Sequence, residues 1–207
     1  MVLLALERST RLGSIAIFQE GVCTLSQSAP VWAGHGTPPL TAHRSLLTVS
    51  IEGGVDVSTS VTEALSSLRL APLDVTHCAV GLGPGSFAGI RSALAFLEGF
   101  CAPRQLPILG VSSAAAIAHD VGGDAIVLGD ARRGQYWVYA KGEMQLVPYA
   151  EFCVEPTRKL FSPDAERIQY GGVHHAIPTA KAVGELALNP DTPKIHPPLP
   201  LYLHSAV

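Results

Sequence analysis

The sequence predicts an α/β protein of two lobes, and three observations predict it. Short apolar and β-branched runs alternate along the chain with stretches of helical periodicity. One such run passes directly into a glycine-rich loop and then a helix, a strand–turn–helix arrangement. The 207 residues are 47% hydrophobic and only 15% charged, enough to bury a core in one domain or two small lobes.

Taken in order, Val2 to Leu6 reads as a buried strand, with Gly13 to Gln19 as its hairpin partner across the polar turn Glu7 to Arg11. A third strand is expected around Val22 to Gln27. Ala29 to Pro39 is rich in Pro, Gly and Thr and reads as a loop. Ser45 to Ile51 fits a strand or a helix equally. Val57, Val61, Ala64, Leu65 and Leu68 fall at helical spacing, so a helix is expected over Asp56–Leu70, capped by Asp56 or Ser58. Val75 to Val80 is a short strand, followed by the loop Gly81 to Arg91 and a helix from about Gly89 to Ala102. That helix carries Ile90, Ala93, Leu94, Phe96, Leu97, Phe100 and Cys101, apolar over most of its circumference.

Leu106 to Val111 resumes a strand, and Ser112-Ser113 caps a helix through His119. Ala125 to Asp130 and Gln135 to Lys141 read as paired strands. Beyond Glu143 the pattern weakens; a strand is expected over Ile168–Gly171, a helix over Thr179–Leu188 and an extended segment over Pro190–Pro200. The order suggests an N-terminal lobe over 1–104, containing the glycine-rich loop, and a C-terminal lobe over 105–207 whose last residues are expected to pack back on the first.

Composition narrows the function. Net charge is −3, and the densest basic clusters are Arg132-Arg133 and Arg158-Lys159, so a free-standing nucleic-acid binder with a basic stripe is disfavoured. A mean hydropathy of +0.29 with so little charge points to a subunit interface. The four cysteines show no CxxC pair and read as reduced, mostly buried thiols. Met1 to Leu6 is apolar but too short for a signal peptide or membrane span, so no membrane association and a cytoplasmic location are expected.

The most specific feature is the loop carrying Gly81, Gly83, Pro84, Gly85, Ser86, Phe87, Gly89 and Arg91. A P-loop needs Gly-Lys-Ser/Thr, and here Ile90-Arg91 follows Gly89. A nucleophile elbow needs Gly two residues before the serine, where Pro84 stands. Gly83, Gly85 and Ala88 match a dinucleotide fingerprint, without the acidic residue expected about 20 residues on. A tight turn packing helix against strand is the favoured reading of the loop by itself.

Gly81-Leu82-Gly83-Pro84-Gly85-Ser86-Phe87-Ala88-Gly89-Ile90-Arg91 resembles the G-x-G-P-G-S-F-T-G-x-R motif of the TsaB (YeaZ) family. Leu3 to Thr10 is similar to that family's opening L-A-L-D-T-S-T, and Leu109 to Ser113 to its G-V-S-S step. Gly129 to Trp137 resembles D-A-R-x-G-E-V-Y, and Pro200 to His204 resembles P-x-Y-L-R. The resemblance implies a two-lobed actin-like ATPase (ribonuclease H-like) fold. It further implies a glycoprotease-like, non-catalytic scaffold or activator in bacterial synthesis of tRNA N6-threonylcarbamoyladenosine (t6A37). The implied partners are a TsaD-like transferase and a TsaE-like ATPase, with a homodimer in isolation and tRNA met only through the complex. No cofactor of its own is implied; any ATP would sit at the TsaD–TsaB interface or on TsaE.

The residues fit that silent role. No two of the eight histidines stand four apart, so the His-x-x-x-His metal pair of a catalytic paralogue is missing. Glu7 stands where the related motif has Asp, one methylene longer than metal geometry favours. Asp130 reads as a turn residue before Ala131-Arg132. Ala88 replaces the family's usual Thr, and the first helix lacks the family's leading His, with Gly53 near its place. Ala33 to Gly54 is unusual and suggests an insertion. By the resemblance the partner interface uses the helices over 56–70 and 89–102, with Val61, Ala64, Leu65, Leu68, Leu94, Leu97 and Glu98 as contact residues. Leu94 or Leu97 is expected on the outward face, so that arginine there blocks assembly without unfolding the lobe. The alternative is a nucleotide-binding or phosphoryl-transfer enzyme of the same class, with Glu7 and Asp130 required.

Overall fold

A computed structural model describes residues 1–30, 48–50, 56–122, 124–155 and 157–203. The chain builds two sheets. In the first, β1 (Val2–Glu7), β2 (Leu12–Gln19) and β3 (Val22–Pro30) form an antiparallel meander. β4 (Thr48–Ser50) runs parallel to β3 on one edge, settling the strand-or-helix ambiguity there as a strand. On the other side of β1, β5 (His77–Gly81) and β6 (Ile108–Val111) add in parallel, giving the order β4-β3-β2-β1-β5-β6.

The central strand shows why helices are needed on both faces. Leu4 and Leu6 of β1 point into one apolar cluster and Leu3 and Ala5 into another, the two-residue alternation of a strand buried on both sides. Over the first face lie α1 (Val57–Ser67) and α2 (Phe87–Cys101), side by side. Each starts on a side-chain cap: Asp56 accepts from the Ser58 N–H and Ser86 Oγ from the Gly89 N–H. Over the other face lies α4 (Ala180–Leu188), whose Ala180, Ala182 and Val183 pack on Ala5, Ala16 and Phe18.

The second sheet has the order β11-β10-β7-β8-β9. β7 (Ile126–Arg132), β8 (Gln135–Ala140) and β9 (Glu143–Pro148) form a second antiparallel meander. β10 (Leu160–Ser162) and β11 (Val173–His175) extend it in parallel. Between the sheets, α3 (Ser113–Val121) turns Ala116 toward the first core and Ala114 and Ile117 toward Val127 and Trp137 of the second.

Three sequence expectations are corrected here. The division at 104/105 cuts β6 and α4 away from the first sheet, to which they belong by hydrogen bonding and packing. The strand expected over Ile168–Gly171 is the end of a 3-10 turn with Ile168 buried, and the strand itself comes later, at Val173–His175. Leu94 and Leu97 are not on an outward face: with Val61, Ala64 and Leu65 they fill the core between the helices and the sheet, at 5% and 0% exposure. Of the seven expected contact residues, Leu68 is half-buried and only Glu98 is exposed. α2 reads as apolar over most of its circumference because much of its outward face is small: Ala88, Ser92, Ala95 and Gly99 are exposed there beside Arg91 and Glu98.

The proline-rich segment lies against the first sheet. Ile195 donates its N–H to the Gly110 carbonyl of the edge strand β6, and Leu201 donates to the Leu82 carbonyl just beyond β5. Residues 31–39 of the expected loop, most of the unusual stretch 33–54 with Gly53, and His35, His43 and His204 lie outside the described residues.

Candidate functional site

The glycine-rich loop, the β1–β2 turn, the end of β7 and the C-terminal segment meet at a cleft of about 480 Å³ between the two sheets. Its walls include Ser9, Arg11, Gly85, Ser86, Asp130, Arg132, Asp164, Arg167 and Tyr202. Gly85 and Ser86 of the glycine-rich loop line it, while Gly81 and Gly83 are buried behind. Pro84 also lines the cleft, Gly89 is buried in α2, and Phe87 and Arg91 stand exposed at its rim.

The glycines of this loop make room for protein, not for an open cradle. A side chain at Gly85 would overlap the Ser9 carbonyl oxygen, to which the Ser86 N–H donates at 2.6 Å. A methyl at Gly81 would overlap the Glu7 carboxylate. The turn after β1 is therefore pressed into the loop, as a packing turn requires.

Glu7 is the consequence. It is fully buried, 0% exposed, and does not line the cleft. Its Oε1 accepts from the Ser9 N–H at 2.6 Å and its Oε2 from the Ser113 hydroxyl at 2.7 Å; that hydroxyl accepts in turn from the Gly83 N–H at 3.0 Å. Burial raises its carboxyl above the ordinary value of 4.5, and the Ser9 and Ser113 hydrogen bonds only partly oppose this.

The sign of the resulting pH dependence follows. An acid whose folded pKa is raised stabilises the fold fully below its unfolded pKa, and that stability is lost as pH rises through the folded pKa. Wild type is thus expected to lose stability from about pH 4.5 upward, at up to about 1.4 kcal/mol per pH unit, until the buried carboxyl itself ionises. Glu7→Gln keeps an acceptor for the Ser9 N–H and removes the titration. In urea denaturation across this range, the stability difference between Glu7→Gln and wild type should grow in favour of the variant. Parallel curves would show that folding does not raise the Glu7 carboxyl.

Asp130, by contrast, lines the cleft. It accepts from the Tyr149 hydroxyl and the Arg132 N–H, each at 2.7 Å, and pairs with Arg132 Nη1 at 3.2 Å. Burial pushes its carboxyl up, but these donors and the charges of Arg132 and Arg167 outweigh burial and leave it below the ordinary value. It has the bonding of a turn aspartate closing the β7–β8 hairpin. Among the described residues, no three His, Cys, Asp or Glu side chains gather as metal ligands. His174 and His175 are both exposed, and His119 pairs with Glu185 at 3.0 Å. The cysteines are free thiols, with Cys78 and Cys101 buried 3.4 Å apart, Cys23 half-buried and Cys153 exposed. No helix of the described residues is long and apolar enough to cross a membrane.

Sequence reasoning missed Arg167, Asp164 and Tyr202 as cleft residues. Arg167 and Asp164 sit in a 3-10 turn with no periodic signal, whereas Tyr202 stands within the Pro200 to His204 motif.

Two lobes of this topology, closing on a cleft that a strand–glycine loop–helix unit lines, define a protein of the actin-like α/β class. Solved structures agree. YeaZ from Pseudomonas aeruginosa superposes with a TM-score of 0.67 at 24% identity, covering 98% of this chain and 99% of that one. A second Pseudomonas aeruginosa structure, described as similar to the peptidase YEAZ, matches with the same TM-score and coverage at 22% identity. The family described as TsaD, tRNA N6-adenosine threonylcarbamoyltransferase, matches residues 55–178, and the chain belongs to that family.

Shorter stretches of the sequence match curated proteins. The chain is 37% identical over 79 residues to an uncharacterized protein of Mycobacterium tuberculosis, and equally to one of Mycobacterium bovis. It is 34% identical over 83 residues to the tRNA threonylcarbamoyladenosine biosynthesis protein TsaB of Escherichia coli. These matches span 38% and 37% of this chain, and 37% and 36% of the relatives' own length.

Proposed function

We propose that this chain is a cytoplasmic, non-catalytic subunit that binds and activates a TsaD-like transferase in synthesis of tRNA N6-threonylcarbamoyladenosine. The observation that carries this reading is the sealed Glu7. Where an actin-like enzyme presents a carboxylate to a nucleotide-bound metal, this chain presses its carboxylate between Gly81 and Ser113, away from the cleft. A TsaE-like ATPase and tRNA join through the complex, a homodimer forms in isolation, and no cofactor is held by this chain alone.

The docking face is the outward side of α1 and α2. Ser58, Thr62 and Ser66 on one helix, with Ser92, Ala95 and Gly99 on the other, are exposed and small, so partner helices can approach closely. Asp130 in the cleft favours the second reading, a phosphoryl-transfer enzyme, which requires ATP turnover by the isolated chain that Asp130→Asn abolishes.

Two measurements test the proposal. Reconstituted tRNA modification should depend on this chain, and Ala95→Arg should prevent co-elution with the cognate TsaD-like protein while circular dichroism stays unchanged. Modification that proceeds equally well without this chain would overturn the activator role, and full co-elution of Ala95→Arg would overturn the docking face.

A further inference from the structure

Outside the buried machinery, one exposed cluster is unexplained by folding. Phe87, the first residue of α2, is 51% exposed, and Tyr202 of the C-terminal segment is 56% exposed. Their rings lie 5.8 Å apart at 44°, Arg91 stands 4.1 Å over the Phe87 ring, and Arg91 Nη2 donates to the Tyr202 hydroxyl at 3.3 Å. Two large aromatic faces held in solvent by an arginine are a costly arrangement for a surface with no ligand.

The cluster opens on the cleft, which Tyr202 itself lines. There Arg11, Arg132 and Arg167 face two carboxylates, Asp130 and Asp164, and Arg132 is already paired with Asp130 at 3.2 Å. Arg11 and Arg167 are exposed; the Arg167 charge acts on Asp130, but no hydrogen bond or ion pair of either side chain to a carboxylate is found among the described residues. With Arg91 at the rim, four of the ten arginines of a chain of net charge −3 converge on this one place.

We infer that the Phe87–Tyr202 pair and the arginines beside it form a contact for single-stranded RNA, with an unpaired base on the aromatic faces and backbone phosphates toward Arg11 and Arg167. The chemistry of each half selects this partner. Aromatic faces stack on any unpaired base but cannot reach bases inside a duplex, and arginine offers both a stacking plane and forked donors to phosphate. The patch is too small to hold RNA tightly by itself, in keeping with the absence of a basic stripe. It rests on the proposed function only for the identification of that RNA as a tRNA.

The test uses the full-length protein at low salt with two fluorescent probes, an RNA hairpin with an unpaired loop and a fully paired duplex of equal length. The hairpin should bind more tightly than the duplex. Phe87→Ser/Tyr202→Ser should weaken hairpin binding roughly tenfold or more and leave duplex binding unchanged. Arg11→Gln/Arg167→Gln should weaken both and flatten the dependence of log K on log salt by about 1.4 for a single strand. Circular dichroism on both variants guards against misfolding. Equal affinity for the two probes, or no change in either variant, would overturn the inference. So would a finding that Phe87→Ser/Tyr202→Ser loses only co-elution with the TsaD-like protein, since the pair would then be a protein contact. Loss of the RNA result with co-elution and modification intact leaves the proposed function standing.

Discussion

Leu97→Arg is expected to abolish the folded N-terminal lobe, not merely its assembly. Leu97 is 0% exposed and lies in the cluster that joins α2 to β1 and β5. Arginine there places an unpaired guanidinium among Leu4, Leu6, Val80 and Ile90, with no carboxylate in that cluster to meet it. An uncompensated buried charge costs about 3–5 kcal/mol, and overpacking adds about 1–3 more. Against a typical total of about 5–15 kcal/mol, most of the stability is gone. Ala95→Arg, two residues away and exposed, should change stability by no more than about 0.5 kcal/mol. Urea denaturation followed by circular dichroism distinguishes them. A Leu97→Arg protein with a wild-type unfolding transition would mean that α2 turns a different face to the sheet.

The contrast between Leu97 and Ala95 also measures what was legible in the sequence. That α2 exists and ends before Pro103 follows from its apolar spacing and a proline, whereas its start, expected near Gly89, comes two residues earlier at Phe87, capped by Ser86. Which face it turns inward does not follow, because beside Arg91 and Glu98 its outward residues include Ala88, Ser92, Ala95 and Gly99, which hydropathy counts as neutral or apolar. The two interior faces of β1 were legible as a continuous apolar run, since a strand covered on both sides needs no polar alternation.

The second sheet was harder. β10 and β11 are three residues each, too short to express a period, and β9 is a half-exposed edge. The lobe boundary failed for a different reason: α4 is brought back to the first sheet by contacts across more than 160 residues, as in the Ala180 N–H donating to Ser14 Oγ. Of the site, the glycine-rich loop was legible by its motif. The burial of Glu7 was not, because it depends on Ser113, which is 106 residues away.

Gly81→Ala is expected to be strongly disruptive, and Glu7→Ala should largely rescue it. The new methyl would occupy the space of the Glu7 carboxyl, which is fully buried. Overpacking costs about 1–3 kcal/mol. Displacing the carboxyl also weakens its hydrogen bonds with the Ser9 N–H and the Ser113 hydroxyl, worth about 0.5–1.5 kcal/mol each. A loss of about 3–5 kcal/mol is expected.

In Glu7→Ala the carboxylate is gone, the Ser9 N–H loses its acceptor, and the vacated space admits a methyl. Adding Gly81→Ala to that background should cost under about 1 kcal/mol, giving a coupling of at least about 2 kcal/mol in a double-mutant cycle. Additivity would place the obstruction elsewhere, at the Ser113 hydroxyl that also borders Gly81. The cycle bears on function because the same contact decides where the carboxylate can be. A Gly81–Glu7 coupling of that size means that the carboxylate cannot swing into the cleft without vacating its own hydrogen bonds. A chain built so can lend its cleft to a partner or a nucleic acid, but it does not bring Glu7 to a metal there.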